Sequence, residues 1–294
     1  MSSSHHEDPA RWSRDELRRF LRRTSRPSYR RFSESLVPGA APMLGVRLPE
    51  LQRLTDRIAK GDWRGFLDRT LPSRKAEFFE ETLLRGFVTA TASMDPDERS
   101  DRVDGFVDEI RDWATCDSFC VRLKSFRKDP GRSWCFLESH GYLTDPRPYV
   151  RRFAIVTLLS HWLRSDDPDV VSDVLDQLRR IRCVLPASGT GHGTLSVSDR
   201  REEILRTSDV DGDHSVGTSG KGDPLRTSGT DGEYYVRMAW AWALSVAFFR
   251  CPDLVERRLT DGTFPREIIA LTLRKILESR QVSPEEKVRL RNRI

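Results

Sequence analysis

The chain has 294 residues, of which 37% are hydrophobic and 32% charged, and its formal net charge is +5 at pH 7. No stretch approaches the roughly 20 apolar residues of a membrane-spanning helix, which excludes a membrane-spanning protein, and no basic region leads into an apolar run near Met1, so we expect a cytoplasmic protein. Five cysteines, an odd number in a large chain, fit reduced thiols better than a disulfide framework.

Apolar residues recur along most of the chain at the three- and four-residue spacing of amphipathic helices. The first two stripes are Leu17, Phe20 and Leu21, followed by Leu48, Leu51, Leu54 and Ile58. Further helices are predicted over residues 76–88, 100–110, 116–126, 150–164, 168–181, 234–249, 253–261, 264–279 and 284–293. The breaks carry turn and cap residues, such as Asp129-Pro130-Gly131. No alternating pattern typical of a strand is present, so the sequence predicts an all-α protein.

Residues 184–232 differ in composition from the rest of the chain. They hold nine of the 18 glycines, no aromatic residue, and three more acidic than basic residues. Such a segment cannot bury enough apolar surface to offset the entropy lost on ordering. We predict a low-complexity, disordered insertion with one short helix near 198–205, and a disordered N-terminus over 1–10. Residues 11–183 and 233–294 are predicted to form a single domain.

The predicted helices are spaced at roughly 20 residues per helix with its loop, and therefore about 40 per helical pair. This spacing is typical of HEAT-like repeats, whose stacked pairs form a curved solenoid with a concave face. Internal sequence similarity is weak, so an irregular helical bundle is the alternative.

Three segments combine aromatic and charged residues. They contain Trp113 with Asp117, Arg151 with Arg152, and Trp240 with Trp242. The first pair is four residues apart and shares one helix face, whereas the two later tryptophans, two residues apart, lie on different faces. Each segment also has a purely structural interpretation, because acids cap helix starts, arginines form ion pairs and tryptophans fill helical cores.

Neither the cysteines nor the histidines predict a metal site or a catalytic base. Cys116 and Cys120 share a helix face, but no histidine or second cysteine pair lies at zinc-ligand spacing, so we predict buried thiols. His161 has no evident serine or aspartate partner, and we predict a structural role for it. We expect no metal and no cofactor.

Five short motifs follow one another along the chain. They are Leu44-Gly45-Val46-Arg47-Leu48-Pro49, Glu80-Glu81, Trp113-Ala114-Thr115-Cys116-Asp117, Arg151-Arg152-Phe153-Ala154-Ile155-Val156 and Tyr234-Tyr235-Val236-Arg237-Met238-Ala239-Trp240-Ala241-Trp242. In this order they resemble the AlkD-like DNA alkylation repair family, over most of residues 28–290 apart from the insertion.

The resemblance implies a HEAT-like solenoid that holds duplex DNA on a basic concave face. It further implies a DNA glycosylase of base excision repair, a hydrolase that removes cationic alkylated purines such as 3-methyladenine and 7-methylguanine by cleaving the N-glycosidic bond. The implied partner is duplex DNA with alkylated bases, and we expect a monomer.

The resemblance also implies which residues form the catalytic site. Asp117 matches the catalytic carboxylate of the family, and Trp113 and Trp242 match its groove tryptophans, with Trp240 as the alternative to Trp242. This assignment is chemically consistent, because the departing purine is already cationic and the sugar gains positive charge in the transition state. A carboxylate stabilises that charge by Coulomb attraction, and indole faces attract cationic groups.

Other positions match residues of the family that contact DNA. Arg152, or its neighbour Arg151, would bind a backbone phosphate by a forked pair of hydrogen bonds. Tyr29, with Phe32 as the alternative, is the counterpart of a tyrosine near the start of the family's sequences. Basic residues are also frequent near the C-terminus, which is what a phosphate-binding surface requires.

Two further functions remain open from the sequence. The same scaffold could bind branched or damaged DNA without catalysis. Alternatively, the chain could be a protein-interaction scaffold, a common use of helical repeats.

Overall fold

The computed structural model describes residues 8–182 and 232–293. These residues form helices and short connections, with no β-strand among them, so the prediction of an all-α protein is confirmed. Of the predicted disordered N-terminus, only Asp8, Pro9 and Ala10 are described, and the side chain of Ala10 is buried. The predicted insertion lies outside the described residues except for Gly232, which begins a helix.

Fifteen α-helices are described within these ranges. In chain order they are α1 Arg14–Thr24, α2 Pro27–Leu36, α3 Leu48–Ile58, α4 Trp63–Arg69, α5 Phe79–Thr91, α6 Pro96–Val107, α7 Trp113–Arg122, α8 Ser125–Lys128, α9 Pro130–Ser139, α10 Pro148–His161, α11 Pro168–Leu178, α12 Gly232–Arg250, α13 Pro252–Thr260, α14 Arg266–Glu278 and α15 Pro284–Arg293. Short 3-10 helices cover Pro9–Arg11 and Tyr142–Thr144. None of the helices in the described ranges combines the length and the apolar character needed to cross a membrane.

The described residues divide into two compact units. The first comprises residues 8–88, and the second comprises residues 89–182 and 232–293. Each unit has its own buried residues.

In the first unit, one buried carboxylate holds the turn that precedes α3. Glu80 is 2% exposed, and its two oxygens accept hydrogen bonds from the backbone N–H groups of Leu44, Gly45 and Val46 at 2.6 to 3.1 Å. Gly45 has a φ of +91°, and a Cβ atom there would lie 2.7 Å from the carbonyl oxygen of Arg26. The turn therefore requires glycine and the acid together.

The neighbouring acid anchors α5 to α1. Glu81 is fully buried and accepts hydrogen bonds from Nε and Nη2 of Arg18 at 2.7 and 3.3 Å. Its Oε2 also accepts the backbone N–H of Glu77 at 2.7 Å. Two of the five sequence motifs thus contain residues that stabilise the first unit.

Helix α10 lies in the hydrophobic core of the second unit. Every residue from Val150 to His161 is buried, which is the pattern of a helix covered on all sides. Helices α7 and α12 both pack against it, and α12 also packs against α13 and α14. Gly232 permits the close approach of α12, because a Cβ atom there would lie 2.7 Å from Cβ of Pro148. The second unit is therefore built around the helix that carries both predicted arginines.

Candidate active site

Helix α7 begins at Trp113 because Asp112 caps it. The two carboxylate oxygens of Asp112 accept hydrogen bonds from the backbone N–H and the hydroxyl of Thr115, both at 2.8 Å. Burial, and to a lesser extent the charge of Asp117, raises the pKa of Asp112 overall, although the bonds from Thr115 act in the opposite direction. This cap places Trp113, 5% exposed, and Asp117, 2% exposed, in the first two turns of α7.

Asp117 forms a buried, two-pronged ion pair with Arg152 of α10. Nε of Arg152 donates to Oδ1 at 2.8 Å, and Nη2 donates to Oδ2 at 2.7 Å. The third nitrogen, Nη1, donates to the carbonyl oxygen of Tyr235 in the first turn of α12, at 2.5 Å. One guanidinium therefore joins three helices of the second unit.

The Asp117 carboxylate determines the direction in which the pKa of Arg152 is shifted. Burial alone would lower the pKa of Arg152, but the Asp117 carboxylate more than offsets burial and raises that pKa above its ordinary value. Arg152 consequently stays protonated under all ordinary conditions. A bidentate arginine–carboxylate pair also fixes the orientation of both side chains.

Arg151 makes a second link to the start of α12. Its Nη1 donates to the carbonyl oxygen of Arg182, and its Nη2 forms an ion pair with Glu233. Arg182 is the last described residue before the gap in the described chain, and Glu233 is the second residue after it. Arg151 thus holds together the two ends of the chain that border this gap.

Arg152 and Arg151 were predicted to contact a DNA phosphate, and such a contact requires exposed guanidinium groups. Arg152 is fully buried and Arg151 is 4% exposed. All three nitrogens of Arg152 and both terminal nitrogens of Arg151 donate to acceptors within the second unit, and Nε of Arg151 is buried without a partner. A direct contact between either guanidinium and a phosphate is therefore not available in this structure. Their observed contacts instead fix α12 against α10.

The two tryptophans of α12 differ in their surroundings. Trp240 is 2% exposed, and its ring meets that of Phe264 edge-on at 6.2 Å, as expected for a core residue. Trp242 is half-buried and packs at the margin of the hydrophobic core. Of the two, Trp242 is therefore the one with surface available to a ligand.

A group of tyrosines lies beside Arg152, and the sequence analysis gave it no role. The rings of Tyr149 and Tyr235 stack with centroids 6.2 Å apart, and Tyr234, 37% exposed, meets Tyr235 edge-on at 5.3 Å. Burial, followed by the proximity of Tyr235 and Asp112, raises the pKa of Tyr149, so its hydroxyl stays protonated. The signal for this group was present in the sequence, because Tyr149 lies two residues before the Arg151 motif, and Tyr234 and Tyr235 are the first two residues of the last motif.

Tyr29 belongs to the first unit, whereas the other predicted site residues belong to the second. It is half-buried on α2, and its ring centroid lies 6.4 Å from that of Phe32, which is 39% exposed. Burial raises the pKa of Tyr29, despite an opposing hydrogen bond to Ser33.

The cysteines near Asp117 are packed inside the second unit. Cys116 and Cys120 are both buried, and the Cys120 thiol donates to the carbonyl oxygen of Phe153 at 3.6 Å. Burial raises the pKa of Cys116 well above its ordinary value. Within residues 8–182 and 232–293, no group of three or more potential metal-ligating side chains comes together.

His161 is a buried histidine that resists protonation. Its Nε2 donates to the carbonyl oxygen of Cys120 at 2.8 Å, and its Nδ1 has no hydrogen-bond partner. Burial lowers its pKa to about 4, with smaller effects in the same direction from Arg127 and Arg164 and an opposing effect from the hydrogen bond to Cys120. The neutral ring is therefore part of the core around α7 and α10.

We expect His161 to make the fold sensitive to acid. An unfolded histidine has a pKa of roughly 6.5, so below that pH the unfolded chain binds a proton that the native chain excludes. The contribution of neutral His161 to the free energy of unfolding is fully present above about pH 6.5 and is lost as the pH falls towards 4. At pH 5 the loss is about 2 kcal/mol. The free energy of unfolding is measured by urea denaturation near pH 7.5 and near pH 5. Between these two pH values it should decrease less for His161→Gln than for the wild type.

The measurement near pH 7.5 is the internal control, because the imidazole is mostly neutral there in both the native and the unfolded chain. The difference between the two proteins at that pH gives the cost of the substitution itself. Equal acid sensitivity of the wild type and His161→Gln would contradict the assigned role of His161.

Comparison with known protein families gives a match over most of both units. A family model described as DNA alkylation repair enzyme matches residues 14–180, which is more than half of the chain. Comparisons with curated proteins and with solved structures give no match. The matched range begins at α1, ends after α11 and includes α7 and α10 with Asp117 and Arg152.

Proposed function

The chain belongs to the DNA alkylation repair enzyme family, and on this premise we propose that it is a DNA glycosylase that excises cationic alkylated purines from duplex DNA. The family match supports a role in alkylation repair, and the helical-repeat fold class predicted from the helix spacing agrees with it. The substrates, 3-methyladenine and 7-methylguanine, and the cleavage of the N-glycosidic bond are part of the proposal.

The observation that carries the proposal is the buried carboxylate of Asp117, which Arg152 fixes by two hydrogen bonds. In the proposed reaction the bond between the sugar and the cationic purine breaks, and the electron pair leaves with the base. The sugar then carries developing positive charge, and a fixed negative group nearby lowers the energy of that state. A water molecule adds its oxygen to the anomeric carbon and releases one proton to the solvent, which completes the hydrolysis. Arg152 offsets part of the Asp117 charge. The remaining field of Asp117 is proposed to act on the sugar, in surroundings that screen charge less than water does because the side chain is 2% exposed.

The tryptophans are proposed to act beside this carboxylate. Trp113 is four residues from Asp117 on α7 and is 5% exposed. Trp242 is half-buried on α12, the helix that Arg152 contacts, so it offers the larger surface of the two. The negative face of an indole attracts the cationic base or the developing charge of the sugar, by about 0.5 to 2 kcal/mol per contact. This role requires no metal.

Arg152 and Arg151 are proposed to act as positioning residues. Arg152 orients the Asp117 carboxylate, and both arginines hold the first turn of α12, the helix that carries Trp242 in its third turn. Tyr29 of the first unit is proposed to contact DNA, in keeping with its half-buried phenol on α2.

A second function is favoured by one specific observation. Both oxygens of Asp117 are hydrogen-bonded to Arg152, and the ion pair is almost completely buried. This arrangement also suits a purely structural pair in a protein that binds branched or damaged DNA without excising a base.

Base release distinguishes the two functions. The purified full chain is incubated with a duplex that contains 7-methylguanine or 3-methyladenine, and the free base is measured by mass spectrometry. We expect release above the spontaneous rate seen without protein, and none from an undamaged duplex. Binding of the duplex without release would contradict the glycosylase and favour the noncatalytic binder.

A further inference from the structure

The first unit begins with an unusual concentration of arginine. Residues 11–31 contain nine arginines, no lysine and only two acidic residues, so this segment alone carries a net charge of +7, more than the +5 of the whole chain. The segment covers α1 and the start of α2. Arginine is the basic residue best suited to forked hydrogen bonding with phosphate.

Several of these arginines are bound within the first unit. Arg18 pairs with Glu81 and Glu77, Arg14 donates to the carbonyl oxygens of Thr70 and Lys75, and Arg30 pairs with Glu34 at 2.8 Å. These contacts explain three of the nine arginines as structural or neutralised groups.

Four others form what we call the arginine surface: Arg19, Arg22, Arg23 and Arg26. The first three lie on the solvent-facing side of α1, opposite its buried residues Leu17 and Leu21, and the fourth lies between α1 and α2. All four side chains are exposed. Among the described residues, no carboxylate lies within ion-pair distance of any of the four.

Aromatic rings hold two of these guanidinium groups. Cζ of Arg22 lies 5.8 Å from the centroid of the Phe78 ring, and Cζ of Arg23 lies 5.8 Å from that of Phe20. A ring positions a guanidinium by cation–π attraction and leaves its charge uncompensated, whereas a carboxylate would neutralise it. The two side chains are thus arranged in advance for an external anion.

We propose that the arginine surface binds the phosphates of duplex DNA, whether or not the duplex carries a lesion. Positions three and four residues apart on a helix are separated by about 4.5 to 6 Å along its axis. Duplex DNA carries one charge per about 1.7 Å of its axis, so several phosphates come within reach of these four side chains. The proposal rests on the proposed function only in the class of partner, and it assigns to the first unit an affinity that precedes lesion recognition.

The test compares two triple variants that remove the same charge. R19Q/R22Q/R23Q removes the three helix positions of the arginine surface, and the control R53Q/R132Q/R179Q removes three exposed arginines that each face a carboxylate. The partners of the control arginines are Glu50, Asp97 and Asp176. Thermal unfolding should show that both variants fold like the wild type.

Binding of a fluorescent, undamaged 20-base-pair duplex is measured by anisotropy from about 50 to 200 mM salt. The slope of log K against log salt is negative, and each lost phosphate contact makes it shallower by about 0.9. Each lost contact also lowers affinity by about tenfold near 0.1 M salt. We expect R19Q/R22Q/R23Q to lose about two to three such contacts and the control to lose less than one.

The outcomes separate this proposal from the proposed function. Equal salt slopes for the two variants, or no binding of the duplex by the wild type near 50 mM salt, would overturn the arginine surface. A variant that loses duplex binding while the wild type releases no methylated base would support the arginine surface and remove the glycosylase. Base release by the wild type together with unchanged duplex binding by R19Q/R22Q/R23Q would support the glycosylase and overturn the arginine surface.

Discussion

Asp117→Asn is expected to reduce the release of methylated base by about 10²- to 10³-fold, the typical effect of removing one electrostatic group from an active site. Asparagine has nearly the same shape as aspartate and keeps one carbonyl acceptor for Arg152, but it carries no negative charge to stabilise the sugar. Release of 7-methylguanine is measured under single-turnover conditions, at a temperature at which the variant is shown to be folded by circular dichroism.

A loss of stability must be separated from a loss of chemistry, because Asp117→Asn leaves Arg152 buried without its counter-charge. Glu256→Gln is the matched control: Glu256 is 3% exposed and forms an ion pair with Arg289, in the second unit but outside the proposed site. This variant should release base at the rate of the wild type. If folded Asp117→Asn retained release within about threefold of the wild type, electrostatic catalysis by this carboxylate would be excluded.

Arg152→Met is expected to lower the free energy of unfolding by about 3 to 5 kcal/mol. Methionine fills part of the same volume, but it leaves the Asp117 carboxylate buried without an opposite charge and the Tyr235 carbonyl without its donor. Urea denaturation of the full chain near pH 7.5 measures the change.

A double-mutant cycle identifies the pair as the cause. Asp117→Leu combined with Arg152→Met should recover a large part of the lost stability, because replacing a whole buried pair by apolar groups is often neutral. Arg132→Met removes an exposed arginine that pairs with Asp97 and should cost less than about 1 kcal/mol. Additive effects of the two substitutions in the double variant would show that Asp117 and Arg152 contribute independently.

The helical class followed from apolar periodicity, but several helix limits did not. The predicted helix over 116–126 begins three residues earlier in the structure, at Trp113, because Asp112 caps it there. It ends at Arg122, before the short α8. Asp129-Pro130-Gly131 was interpreted as a break between helices. A break is present there, between α8 and α9, but α9 itself was not predicted. Asp129 caps α9 by accepting the backbone N–H of Arg132 at 3.1 Å, and Pro130 lies in the first turn. Cap residues and loop residues are the same types, so local sequence alone did not distinguish them.

The sequence predicted the relative placement of neighbouring candidate residues, but not the contacts that those residues make. Trp113 and Asp117 were expected on one helix face from their spacing, and both lie in the first two turns of α7. The pairing of Arg152 with Asp117 joins residues 35 positions apart, and that of Arg151 with Glu233 joins residues 82 apart. Periodicity contains no information at such separations, so it could not show that both arginines bind protein acceptors. The aromatic support of Arg22 by Phe78 is invisible to sequence for the same reason.

The link that Arg151 makes between Arg182 and Glu233 has a consequence for how this family member tolerates changes in length. Both ends are held by one guanidinium, so the start of α12 has an anchor on α10 that the intervening residues do not supply. Closing a longer connection costs little, about 0.6 kcal/mol for each doubling of its length. This junction is consequently a natural acceptor for added or deleted sequence, where a chain can diversify without disturbing the geometry around Asp117.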